Sequence, residues 1–117
     1  MRELCALTTL VDLQVRFVLI GGHAVAFHAG SRETADVDLL VDTLEPNPSY
    51  FYAAVTKIVG HPPAFAEAQL RLPQKHVRFT ADGLDLDAMT SGFGASFEEI
   101  WNNSVSVQLG GVSILQY

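Results

Sequence analysis

The chain has 117 residues, of which 49% are hydrophobic and 17% charged, with a formal net charge of −6. That length supports one domain around a single core and excludes two, and the apolar content excludes a disordered chain. The acidic balance, with no basic run anywhere, excludes a broad electrostatic nucleic-acid surface.

Residues 2–14 are predicted as a helix, with Leu4, Leu7 and Leu10 recurring on one side. Asp12 interrupts this apolar run, which lacks a signal-peptide cleavage pattern, and no stretch of the chain has the length of a membrane span. Cys5 is the one cysteine, so an internal disulfide is excluded and a reducing compartment is expected. Together these make a cytoplasmic chain with no membrane partner the expectation.

Phe17-Val18-Leu19-Ile20 is a short apolar run of the kind that forms a buried strand. Gly21-Gly22 breaks it before a helical stretch, His23-Ala24-Val25-Ala26-Phe27-His28, which ends at Gly30. Glycine lets a phosphate approach the backbone closely, and the N–H groups at the start of a following helix face such an anion. Ser31-Arg32-Glu33-Thr34-Ala35 then leads into a second strand carrying Asp36-Val37-Asp38-Leu39-Leu40-Val41. Arg32 is suited to stabilising phosphate charge, whereas Ser31 and Thr34 read as turn or cap hydroxyls.

Positions i and i+2 of a strand share a face roughly 6.6 Å apart. Asp36 and Asp38 can therefore bracket cations while Val37 and Leu39 face a core. A second acidic pair, Asp85-Leu86-Asp87, falls in a later predicted strand. A third carboxylate from a neighbouring strand would complete a site for two Mg²⁺ about 3.5–4 Å apart, the spacing used for in-line displacement at phosphorus. Mg²⁺ favours such oxygen ligands and is commonly shared with substrate phosphates.

Further along, Asn47 is predicted to cap a helix beginning at Pro48, whose stripe of Phe51, Ala54, Val55, Ile58 and Val59 runs to Gly60 and Pro62-Pro63. Residues 64–72 carry no decisive pattern. His76–Thr80 and Leu84–Ala88 alternate around Asp82-Gly83, a hairpin signal. Ser96 and Glu99 form a capping box ahead of Ile100-Trp101. Val105–Leu109 is expected to pair with Val112–Leu115 across Gly110-Gly111. Phe97 and Trp101, at helical spacing, read as core. His23, His28, His61 and His76 have no zinc-ligand spacing, and no strand–nucleophile–helix pattern supports a hydrolase.

Ile20-Gly21-Gly22-His23-Ala24-Val25, followed by Arg32-Glu33-Thr34-Ala35-Asp36-Val37-Asp38, resembles the signature of the nucleotidyltransferase superfamily related to DNA polymerase β. The wording is most similar to small bacterial enzymes of abortive-infection and toxin–antitoxin systems, and to antibiotic nucleotidyltransferases. Residues 17–42 carry most of the match and residues 76–115 fit more loosely. The resemblance implies an α/β (α+β) nucleotidyltransferase fold, a mixed sheet flanked by helices. It also implies Mg²⁺ or Mn²⁺ held by Asp36, Asp38 and Asp87, with Gly21, Gly22 and Arg32 on the triphosphate of a nucleoside triphosphate. Asp87 is preferred to Asp85 because it lies deeper in its strand and is followed by Ala88-Met89, the aspartate-plus-apolar pattern of the family's third carboxylate.

The implied reaction transfers a nucleoside monophosphate to a protein, RNA end or small molecule and releases pyrophosphate, in a toxin–antitoxin or defence module with a cognate protein partner. RNA as acceptor would need positive charge from elsewhere. Family relatives continue into helices beyond the strand that here ends at Tyr117, so a single core domain over residues 1–117, without a C-terminal helical part, is expected. The alternative is a non-catalytic relative, an antitoxin or binding module that reuses the old nucleotide site.

Overall fold

The computed structural model describes residues 5–20, 35–81, 84–109 and 111–117. The predicted Gly21-Gly22 turn, the 23–28 helix and the Arg32 loop lie outside them. Within them the protein is a mixed α+β domain. Helix α1 (Cys5–Asp12) leads into β1 (Phe17–Ile20), and β2 (Ala35–Val41) precedes α2 (Asn47–Val59). A 3-10 turn at Glu67–Arg71 gives structure to the stretch that sequence left undecided, burying Leu70. The hairpin β3 (His76–Ala81) and β4 (Leu84–Met89) follows, then α3 (Phe97–Asn102), β5 (Val105–Leu109) and β6 (Val112–Gln116).

The six strands form one mixed sheet in the order β3-β4-β2-β1-β6-β5. β1 runs antiparallel to β2 and parallel to β6, while β2 runs parallel to β4. Central position explains composition: Phe17-Val18-Leu19-Ile20 has apolar side chains on both faces because both faces are covered. Phe17 and Leu19 enter the larger core beneath α1 and α2. Val18 joins Leu40 and Ile100 in a smaller core, with Phe93, Phe97 and Trp101 packed against it. At the edge, β3 alternates exposed His76, Arg78 and Thr80 with buried Val77 and Phe79, the pattern of a strand covered on one face.

Helix α2 buries the stripe its spacing predicts: Phe51, Ala54 and Val55 are fully enclosed, and Ile58 and Val59 pack at the margin. Gly60 ends it at φ +85°, a left-handed conformation that glycine adopts without steric penalty, and donates its N–H to the Thr56 carbonyl at 2.9 Å. The predicted Asn47 cap is not made. Helix α2 begins at Asn47 itself, behind Pro46, with no side-chain cap. Asn47 turns inward instead. Its Oδ1 accepts the Arg16 N–H at 2.6 Å, and its Nδ2 donates to the Arg16 carbonyl at 3.0 Å and the Asp42 carbonyl at 2.8 Å. The reason is that the entry to β1 and the exit from β2 end side by side, leaving backbone polar groups beside a buried amide that can match them.

The same corner is closed by Arg16. Its guanidinium lies 5.2 Å from the Phe97 ring centre and 4.6 Å from that of Trp101, and Nη1 bonds Asp42 Oδ2 at 2.8 Å. Phe97 and Trp101 therefore serve as packing for the smaller core and as a platform for this cation. The capping box is present as predicted, with Ser96 Oγ accepting the Glu99 N–H at 3.1 Å and Glu99 Oε1 accepting the Ser96 N–H at 3.0 Å. So is the β5–β6 hairpin, in which Leu109 pairs with Val112.

Candidate functional site

The sheet brings the two acidic pairs together. In the parallel ladder of β2 with β4, position 36 stands opposite Asp85 and Asp38 stands opposite Asp87. Neighbouring strands lie roughly 4.8 Å apart, so each register level joins two aspartates across one strand gap. Val37 and Leu39 of β2 and Leu86 and Ala88 of β4 are the core-facing residues between them, all buried in the larger core. Asp38, Asp85 and Asp87 therefore belong to the opposite face. The Asp36 side chain, with Gly21, Gly22 and Arg32, lies outside the described residues.

The aspartates on β4 have different surroundings. Asp85 is half-buried and accepts a hydrogen bond from Thr80 Oγ1 at 3.0 Å. Asp87 is only 5% exposed. Arg78 grips it as a fork, with Nε 2.6 Å from Oδ1 and Nη2 3.2 Å from Oδ2. His76 Nε2 lies 3.2 Å from the same Oδ1 and donates to it in the tautomer that carries its proton there. Burial opposes ionisation of Asp87, but the hydrogen bonds from Arg78 and His76 and the nearby positive charge outweigh it and hold the carboxyl below its ordinary value of 3.8.

Arg78 and His76 are the participants that motif reading missed, although a signal for them exists. A two-residue hairpin loop at Asp82-Gly83 makes Ala81 and Leu84 partners, and counting back from there sets Arg78 against Asp87 and Thr80 against Asp85, the observed register.

This environment predicts an acid-dependent loss of stability. A carboxyl whose value is depressed in the folded state contributes stability that is fully present above its unfolded value. That contribution disappears as pH falls through the folded one. Urea unfolding from about pH 5 down to about pH 2 is therefore expected to show a steeper loss in the unaltered chain than in Asp87→Asn. Equal slopes would show that the Arg78–Asp87 pair makes no net contribution.

Among the described residues no group of three or more His, Cys, Asp or Glu converges as a metal cage. Two of the three predicted ligands, Asp38 and Asp87, are described, and they occupy one register level on adjacent strands. Paired carboxylates of this kind are oxygen donors of the type Mg²⁺ takes, and here both oxygens of Asp87 are bonded to Arg78. No helix among the described residues is long and apolar enough to cross a membrane.

Compared with known proteins, the chain matches no protein-family model, no curated sequence and no solved structure. The fold and site together define a mixed α+β domain whose sheet carries in-register aspartates on neighbouring parallel strands.

Proposed function

We propose that this chain is a Mg²⁺-dependent nucleotidyltransferase with the polymerase-β-related fold, moving a nucleoside monophosphate from a nucleoside triphosphate to an acceptor hydroxyl. The observation that carries the reading is the parallel register that sets Asp38 of one strand beside Asp87 of the next. The sequence motif through residues 20–38 supplies the nucleotide half.

In this reading Asp36, Asp38 and Asp87 hold the metal, which when bound would neutralise triphosphate charge and favour an acceptor oxygen as nucleophile. Gly21 and Gly22 let the phosphates approach the backbone, and Arg32 meets their charge. Asp87 orients the acceptor hydroxyl. The acidic chain, at net −6, favours a protein or small-molecule acceptor over RNA. The cytoplasm, where Cys5 stays reduced, and a defence or toxin–antitoxin module are the matching setting.

A second reading, a non-catalytic binding module, is favoured by the Arg78 fork, which occupies both oxygens of Asp87.

Thermal unfolding with each nucleoside triphosphate, in Mg²⁺ and in EDTA, separates the two. A ligand at about 100 times its Kd adds about 2.7 kcal/mol, which for a domain of this size raises Tm by about 10 °C. The expected result is that rise with Mg²⁺ and one triphosphate, and little change in EDTA. Equal shifts in both, or none in either, would overturn the proposal.

A further inference from the structure

We propose that Arg78 is a displaceable counter-ion of the candidate metal site. It neutralises Asp87 while the site holds no metal, yields the carboxylate to the arriving divalent cation, and then faces the phosphate charge of the nucleotide. The proposal rests on the nucleotidyltransferase reading and adds to it a coupling between metal and nucleotide.

The argument starts from the burial of Asp87. A carboxylate 5% exposed is costly to leave unpaired, and a bidentate guanidinium is the side chain that best satisfies both of its oxygens. The cover is supplied from the solvent side. Arg78 and His76 retain 56% and 57% of their side-chain exposure while sealing Asp87 beneath them. They alternate with Val77 and Phe79, which anchor β3 in the core, so the strand stays in place when the cationic side chains move. Their exposure to solvent leaves both cationic side chains room to move on that face.

The electrostatic consequence follows directly. A divalent cation at Asp38 and Asp87 repels a guanidinium bonded to the same carboxylate, so metal and Arg78 compete for Asp87. A triphosphate relieves the competition because it offers the released guanidinium a new anionic partner. Metal alone therefore binds weakly, metal and nucleotide bind together, and the affinity of each rises with the other, as linkage requires.

The test uses Mn²⁺ as the metal probe and ATP as the nucleotide, with binding followed by the electron paramagnetic resonance of free Mn²⁺ and by calorimetry. Arg78→Gln removes the cation but keeps a long polar side chain. It is expected to bind Mn²⁺ alone about tenfold more tightly than the unaltered chain, and ATP in saturating Mn²⁺ about tenfold more weakly, within the usual span of a coupling between ligands. Arg78→Lys, which keeps the charge and loses the fork, should fall between the two on both scales. An Mn²⁺ affinity that is unchanged or lower in Arg78→Gln, while Asp87→Asn abolishes Mn²⁺ binding, sinks the counter-ion role and leaves the nucleotidyltransferase reading standing. Failure of every chain to bind Mn²⁺ or ATP sinks both. A measurement on the unaltered protein covers the case of a variant that does not fold. Adding Mg²⁺ with ATP should move the nuclear magnetic resonance signal of Arg78 Nε as its partner changes from carboxylate to phosphate, and an unmoved signal overturns the displacement.

Discussion

Asp87→Asn is expected to lower kcat for pyrophosphate release by three orders of magnitude or more, on the order of 4 kcal/mol of transition-state stabilisation, whereas Asp85→Asn should reduce it by about tenfold or less. The two residues share a strand face and differ in depth and partners. Asp87 is 5% exposed and faces Asp38 across the parallel ladder, while Asp85 sits next to the hairpin turn and is bonded to the exposed Thr80 hydroxyl. Asp87 stands level with Asp38 across one strand gap, whereas Asp85 stands one level nearer the turn, so a metal shared with Asp38 lies closer to Asp87 than to Asp85. Loss of a ligand also removes charge from the site, so Asp87→Asn should show reduced Mn²⁺ affinity beside the reduced kcat. Comparable losses at both positions would mean that both register levels contribute ligands, and a larger loss at Asp85 would move the metal one level toward the turn.

Asn47→Ala is expected to destabilise the fold by about 2–5 kcal/mol, since a buried donor or acceptor left without its partner costs about 1–3 kcal/mol. The amide is 3% exposed. Its loss strips the Arg16 N–H of the bond described and removes one from the Asp42 carbonyl, whereas the Arg16 carbonyl keeps the Asp42 N–H at 3.2 Å. Set against a total of roughly 5–15 kcal/mol for a domain, this is a large fraction, and urea unfolding would read it directly. A helix cap lost to alanine would cost typically about 1 kcal/mol. A measured loss below that figure would argue that water replaces the amide at the corner.

The proposed nucleotidyltransferase activity and a corner held by Asn47 make separate demands on the chain. The corner lies where β1 begins and β2 ends, and the aspartates lie at the other end of the same β2 strand. Damage at the corner should therefore lower Tm before it changes the register at Asp38.

Local chemistry in the sequence determined much of this protein. The α2 stripe at Phe51, Ala54 and Val55, the Gly60 stop, the Ser96–Glu99 box and both hairpins follow from spacing, because each is settled by residues within one turn of helix or across one short loop. The hairpin register even contained the Arg78–Asp87 pair, since a two-residue loop fixes every partner that follows from it. Asn47 could not be placed that way. An asparagine before a proline has the local pattern of a cap, and only the meeting of Arg16 with Asp42 offered its amide better partners.

The register of β2 against β4 was likewise beyond the sequence. Alternation assigns Asp36, Asp38, Asp85 and Asp87 to a face, but a slip of two residues preserves every face and would set Asp38 beside Asp85 instead of Asp87. No turn joins these parallel strands to forbid the slip. They are linked through α2, the 3-10 turn and β3, and in the folded sheet Leu39 and Ala88 meet at one level inside the larger core, which sets Asp38 beside Asp87.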